Sequence, residues 1–109
     1  MSLAEAAYRL TERFPKAEVY GMTSQIRRSA ASIAANIAEG HGRENSGSFV
    51  QFLRMAQGSL KELETHLLLA VRVSLVPTGD AEPLLQKCDE FGRMLRSLIR
   101  SIQRRNADA

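Results

Sequence analysis

YGMTSQIRRSAASIAANIAEGHGR, running from Tyr20 to Arg43, is the stretch whose reading decides the fold. Thr23 or Ser24 offers a helix N-cap, and Gly40 and Gly42 offer an end, which predicts a helix over about 23–41. Wound at about 3.6 residues per turn, Ile26, Ile33 and Ile37 fall on one stripe with Ala30 at its edge. Ala34, Ala38, Ala31 and Ala35 continue round the next side. Gln25, Ser29, Ser32 and Asn36 take the opposite one. Arg27, Arg28 and Glu39 are its only charges. A helix with so few long solvated side chains is expected to be packed on more than one side, as the central helix of a bundle.

Reading outward, Ser2 with Glu5 makes a capping box that opens a short first helix over about 2–13, and Pro15 ends it. Lys16–Val19 is expected to form a single turn. Glycines 40, 42 and 47 with Asn45 and Ser46 mark a loop, and Ser48 with Gln51 offers a second capping box for a third helix over about 48–75. That helix carries a continuous apolar seam of Phe49, Phe52, Leu53, Ala56, Leu60, Leu63, Leu67 and Val71. Gly58, beside Ala56 and Ser59, is read as a close crossing against the alanine side of the central helix. Leu68, Leu69, Val73 and Val76 lie off the seam, and exposed apolar surface of that kind predicts an oligomer interface. Pro77 and Gly79 break the chain before a fourth helix over about 82–105. Leu84, Cys88, Phe91, Leu95, Leu98, Ile99 and Ile102 form its core stripe. The fold class is all-α: an antiparallel up-down four-helix bundle with a short first helix, one domain over residues 1–109.

Four motifs follow one another in order: Phe14–Pro15, YGMTSQIRR at 20–28, SIAANIAEG at 32–40, and FLRMAQGSLKEL at 52–63. Their succession closely resembles the bacterial four helix bundle protein family, also called 23S rRNA intervening-sequence proteins. The accessory variability protein of diversity-generating retroelements is similar as well. The resemblance spans about residues 8–105. It implies a left-handed antiparallel bundle assembling as a ring-like homopentamer. From the retroelement relative it further implies a basic surface that meets RNA or single-stranded DNA and a nucleic-acid enzyme such as a reverse transcriptase. The first helix is shorter than the family's, so one end of the bundle is expected to need a cover or to stay exposed.

Composition bounds the remaining possibilities. At 109 residues, 44% hydrophobic and 25% charged, the chain suits one domain with its own core. The single cysteine, Cys88, has no internal partner, which fits a reducing cytoplasm. Met1–Leu10 holds Glu5 and Arg9 and does not read as a secretory signal, and no window approaches the about 18 apolar residues of a membrane span. Histidines 41 and 66 stand in separate elements without further ligands at helical spacing, so neither a metal nor a cofactor is expected. Small helical ribonucleases carry an arginine a few residues before a histidine on one helix. Here Lys61 stands five residues before His66, and no acid–base pair forms. The expectation is a non-enzymatic protein.

The arginines carry the functional reading. Arg93, Arg96, Arg100 and Arg104 fall on one side of the fourth helix, and between Arg93 and Arg105 there are five arginines and no acid. Arg54 and Lys61 stand in near register on the third helix. Guanidinium forks suit phosphate, and a row of them tracks a nucleic-acid backbone without sequence preference. The alternatives are a plain solvated face, or an acidic protein partner that makes the chain an interaction scaffold. Arg27, Arg28, Asn36 and Glu39 offer a binding constellation with His41 and Arg43 in the following loop. They are read instead as a structural polar network, Asn36 and Glu39 satisfying arginines and helix ends within or between subunits, because a mostly buried helix must pair its polar groups.

Overall fold

The computed structural model describes residues 2–18 and 21–108, the side chains of Ser2 and Asp108 excepted. Four helices are present among them: α1 (Ser2–Thr11), α2 (Met22–His41), α3 (Ser46–Arg72) and α4 (Thr78–Asp108), with a 3-10 turn at Lys16–Glu18. Each helix packs against its two neighbours in the cyclic order α1, α2, α3, α4, and among the described residues the backbones of the diagonal pairs do not approach closely. Leu3 lies with Ile37 and Met94 at one end of α1, while Thr11 reaches Arg27 and Arg13 reaches Asp80 at the other. Both neighbours of α1 therefore run antiparallel to it. The result is the expected up-down bundle, a rod of 52 × 22 × 18 Å. With only 10 residues, about 15 Å at 1.5 Å per residue, α1 covers a minor part of that length.

Ile26, Ile33, Leu53, Leu63, Leu67, Leu95 and Cys88 are fully enclosed, one stripe from each long helix. Ile37, Phe49, Val71, Phe91 and Leu98 are partly buried and pack against this core. No helix among the described residues is long and apolar enough to cross a membrane.

The helix ends differ from the sequence reading in instructive ways. Neither Thr23 nor Ser24 caps α2. Gly21 holds the N-cap position without a side-chain bond, and Glu18 Oε1 accepts from the Met22 N–H at 3.4 Å. For α3, Asn45 is the cap: its Oδ1 accepts from the Ser48 N–H at 3.1 Å, so the helix opens at Ser46 and Ser48 is inside its first turn. The fourth helix starts at Thr78 and runs through Pro83, making it the longest at 31 residues, ahead of α3 at 27. A proline this early removes one backbone bond and leaves the rest of the ladder intact. The capping box read at Ser2 and Glu5 depends on a side chain outside those described.

Packing corrects three further readings. The third helix crosses the serine side of α2, not its alanine side: Ser29 is buried, and Ser32 Oγ and Ser59 Oγ share a hydrogen bond at 2.8 Å. Small hydroxyl side chains that bond back to their own helix permit close approach as alanine does. Ser29 Oγ donates to the Gln25 carbonyl at 2.8 Å. Ala31, Ala35 and Ala38 consequently face outward. Gly58 is exposed with open space where its Cβ would be, so it marks no crossing. The tight glycine is Gly40, where a Cβ would stand 2.8 Å from Phe49 Cδ1. Val76, read as interface, is 4% exposed and belongs to the protomer's own core. The chain reverses just before it, which turns the side chain inward.

That reversal is a Schellman end. Leu75 N–H bonds to the Ala70 carbonyl at 2.9 Å and Ser74 N–H to that of Val71 at 3.1 Å. Ser74 occupies the left-handed position at φ 65°, where glycine is the unstrained residue. Ser74→Gly is expected to raise stability by about 1 kcal/mol, and Ser74→Val to lower it by more, as read from urea midpoints. No gain with glycine would mean that the serine relieves its own strain.

Candidate nucleic-acid interface

Between α3 and α4 the helix surfaces leave a cleft. One part, about 250 Å³, is lined by Arg54, Gln57, Arg96, Ile99, Arg100 and Gln103. A second part, about 310 Å³, shares Gln57 and Arg96 and continues past Lys61, Glu64, Asp89 and Gly92. Arginines recur here because positions three or four apart share a helix face, and the two faces meet across the groove. The buried Gly92 lets the helices come together. A Cβ there would touch Leu60 Cδ2 at 3.4 Å and Arg96 Nη1 at 3.5 Å, so the Arg96 guanidinium lies folded along the groove floor.

Of the six cations read from the sequence, Arg54, Lys61, Arg96 and Arg100 thus come together in one cleft. None of these four has an ion-pair partner among the described residues. Arg93 stands apart because it is bonded to Asp89 one turn earlier. Arg104 is exposed further along α4 and lines neither recess. Gln57 and Gln103 were missed. Each stands three residues after a basic member (Arg54 and Arg100), the spacing by which they could have been found. The cleft is graded: Glu64 and Asp89 offset Lys61 at one end, whereas the end holding Arg54, Arg96 and Arg100 lacks acidic lining.

Cys88 lies beneath the acidic end, fully enclosed. Burial pushes its thiol from 9.0 up to about 12, and the Glu64 carboxylate adds to the shift. It is a neutral core group, not a nucleophile. No cluster of three or more metal-binding side chains occurs among the described residues. His41 packs its ring on Phe49 at 4.9 Å between centroids.

The polar residues of α2 split into two groups. Arg27 donates from Nε to Thr11 Oγ1 at 2.8 Å, with its guanidinium 4.7 Å from the Tyr8 ring centroid. Arg28 is exposed. At the other end Asn36 donates to the Ser32 carbonyl at 2.9 Å, and Glu39 accepts from Arg43 at 2.8 Å. Glu39 thus satisfies an arginine, Arg43, in the following loop, and Asn36 satisfies its own helix, but among the described residues neither bonds to Arg27 or Arg28.

The predicted apolar interface also divides. Leu69 is 44% exposed on one side of α3, in line with Met55 at 52%, and Val73, the residue that caps the helix, is 56% exposed. Leu68, 54% exposed, lies about 100° round from Leu69, toward the Lys61 edge.

A protein-family model described as 23S rRNA-intervening sequence protein matches residues 1–97. Among solved structures, a protein of unknown function from the S23 ribosomal protein family of Bacteroides thetaiotaomicron is similar in fold. Its TM-score is 0.71 at 24% identity, over 89% of this chain and 97% of that one. No curated protein matches.

Proposed function

The chain belongs to the 23S rRNA-intervening sequence protein family, and on that premise we propose that it is a non-enzymatic, oligomeric adaptor that holds RNA or single-stranded DNA along its α3–α4 cleft. The observation that carries this reading is the basic end of the cleft, where Arg54, Arg96 and Arg100 converge without an ion-pair partner among the described residues. Like charges gathered side by side repel one another, and a polyanion relieves that repulsion. The cleft lining contains no aromatic side chain, so binding acts on phosphates and depends on salt but not on sequence. A cytoplasmic homo-oligomer, pentameric as the family resemblance implies, repeats the cleft in every subunit and turns weak contacts into avid ones. Its partner would be an enzyme that works on the bound strand, such as a reverse transcriptase.

Solution mass by light scattering tests the proposal, with and without a mixed-sequence single-stranded oligonucleotide at low and high salt. An oligomer that gains oligonucleotide mass only at low salt supports it. An oligomer that never gains mass favours the second reading, a protein interaction scaffold, for which the exposed Met55–Leu69–Val73 stripe speaks. The same measurement checks the stripe: Leu69→Glu with Val73→Glu is expected to give monomers with the helical signal retained. An unchanged mass would place the interface elsewhere.

A further inference from the structure

On the opposite side of the bundle from the arginine cleft, Tyr8 of α1 and the first turns of α2 border an open, shallow recess of about 340 Å³, lined by Tyr8, Thr23, Ser24, Arg27, Arg28 and Ala31. Two observations there stand out from the rest of the surface. Thr23 is 4% exposed, and its hydroxyl is the only buried side-chain oxygen or nitrogen among the described residues without a hydrogen-bond partner. Such a group is costly to leave unmade, and folded proteins rarely do so without a reason. Beside it stand two guanidinium groups with no carboxylate paired to either among the described residues.

The two arginines are held differently. Arg27 is fixed: its Nε is committed to Thr11 Oγ1 at 2.8 Å and its plane covers Tyr8. Thr11 in turn donates to the Ala7 carbonyl at 2.9 Å, so the whole arrangement is braced against α1. This leaves the terminal N–H groups of Arg27 to serve a ligand in a preset orientation. Arg28 is exposed and free to close over one. The hydroxyls of Thr23 and Ser24 add short donors, and the start of a 20-residue helix contributes its positive end. Glu18, the acidic residue just before α2, is engaged with the Met22 N–H.

We propose that this recess binds a phosphate group, with Arg27, Arg28, Thr23 and Ser24 as its donors. Paired guanidinium forks match a tetrahedral oxyanion better than a single planar carboxylate, and short hydroxyls complete the remaining oxygens. The phosphate is either free or the terminal monoester of a nucleic-acid strand. The site stands independently of the cleft on α3 and α4.

The test is an amide-resolved NMR titration of the full chain with inorganic phosphate, in the Arg96→Glu/Arg100→Glu background so that the cleft cannot contribute. Saturable shifts confined to amides 22–31 are expected. Thr23→Val is expected to weaken binding about tenfold while leaving the unfolding midpoint equal or higher, because it replaces an unpartnered buried hydroxyl by a methyl of the same shape. Arg28→Gln, at an exposed position, is expected to weaken it by at least as much. Absence of shifts in those amides, or unchanged affinity in both variants, would overturn the proposal. A further arm compares 5′-phosphorylated with 5′-hydroxyl oligonucleotides in the same background. Tighter binding of the 5′-phosphorylated strand than of both the 5′-hydroxyl strand and inorganic phosphate identifies a strand end as the ligand, and affinity equal to that of inorganic phosphate identifies free phosphate.

Discussion

Arg96→Glu with Arg100→Glu is expected to abolish binding of single-stranded nucleic acid at every salt concentration at which the unaltered protein binds. Both side chains line the basic end of the α3–α4 cleft, and Arg96 lies along its floor against Gly92. Each cation that neutralises a phosphate adds about 0.7 to the slope of log affinity against log salt for a single strand, so losing two removes about 1.4 per subunit. Reversing the charge adds repulsion to that loss. In an oligomer the change recurs in each subunit, which takes avidity away along with contacts. Both residues are exposed and unpaired among the described residues, so the unfolding midpoint should barely move. Arg93→Gln is the useful comparison. Its guanidinium is already engaged by Asp89, and its removal should cost much less. Fluorescence anisotropy across a salt series reads all three. A wild-type slope in the double variant would sink the cleft assignment and leave the exposed stripe on α3 as the better guide to a partner.

How far this was visible in the sequence depends on the kind of signal. The bundle was legible because the isoleucines of α2, the leucines of α3 and the stripe of α4 repeat at helical spacing, and periodicity survives without any knowledge of neighbours. The side of α2 that meets α3 was not legible. Alanine and serine both allow close packing, and only the Ser32–Ser59 hydrogen bond decides between them. The same gap explains Gly58 and Gly40: a glycine in a helix says that something is close or that nothing is, and composition cannot choose. The arginine row on α4 was readable as a face. That Asp89 claims Arg93 was within reach, since the two stand four residues apart. Gln57 and Gln103 were within reach too, each three residues after a basic member, and only their meeting across one cleft needed the third dimension. Val76 was misplaced because a turn intervenes, and helical phase does not carry across the left-handed residue Ser74. At the α1–α2 recess the two arginines stood out as polar members of the central helix, but the Thr23 hydroxyl left no trace in the pattern, since being unpartnered is a property of packing.

The glycine pair offers the sharpest stability test, because one substitution should act with opposite signs at two helical positions. Gly58 lies in a helix interior, where alanine gains about 1 kcal/mol of propensity, and Gly40 in the last turn of α2, where it gains less. At Gly58 nothing lies within 4 Å of the added carbon, and Gly58→Ala is expected to keep that whole gain. At Gly40 the carbon would meet Phe49 Cδ1 at 2.8 Å and Phe52 Cβ at 3.1 Å. The phenylalanine ring can turn away only by giving up its contact with His41. Phe52 Cβ is fixed to the backbone of α3 and moves only if the helix does. Overpacking of this kind costs about 1–3 kcal/mol, enough to reverse the propensity term. Gly40→Ala should therefore lose about 1 kcal/mol, and Gly40→Val about 3 kcal/mol or more, in urea unfolding. Adding Phe49→Leu to Gly40→Ala should restore part of the loss and no more, because the Phe52 contact remains. If Gly40→Ala instead stabilised the protein as Gly58→Ala does, α2 and α3 would have room to part at their closed end. The hairpin that places α3 against α4 would then be looser than these distances describe.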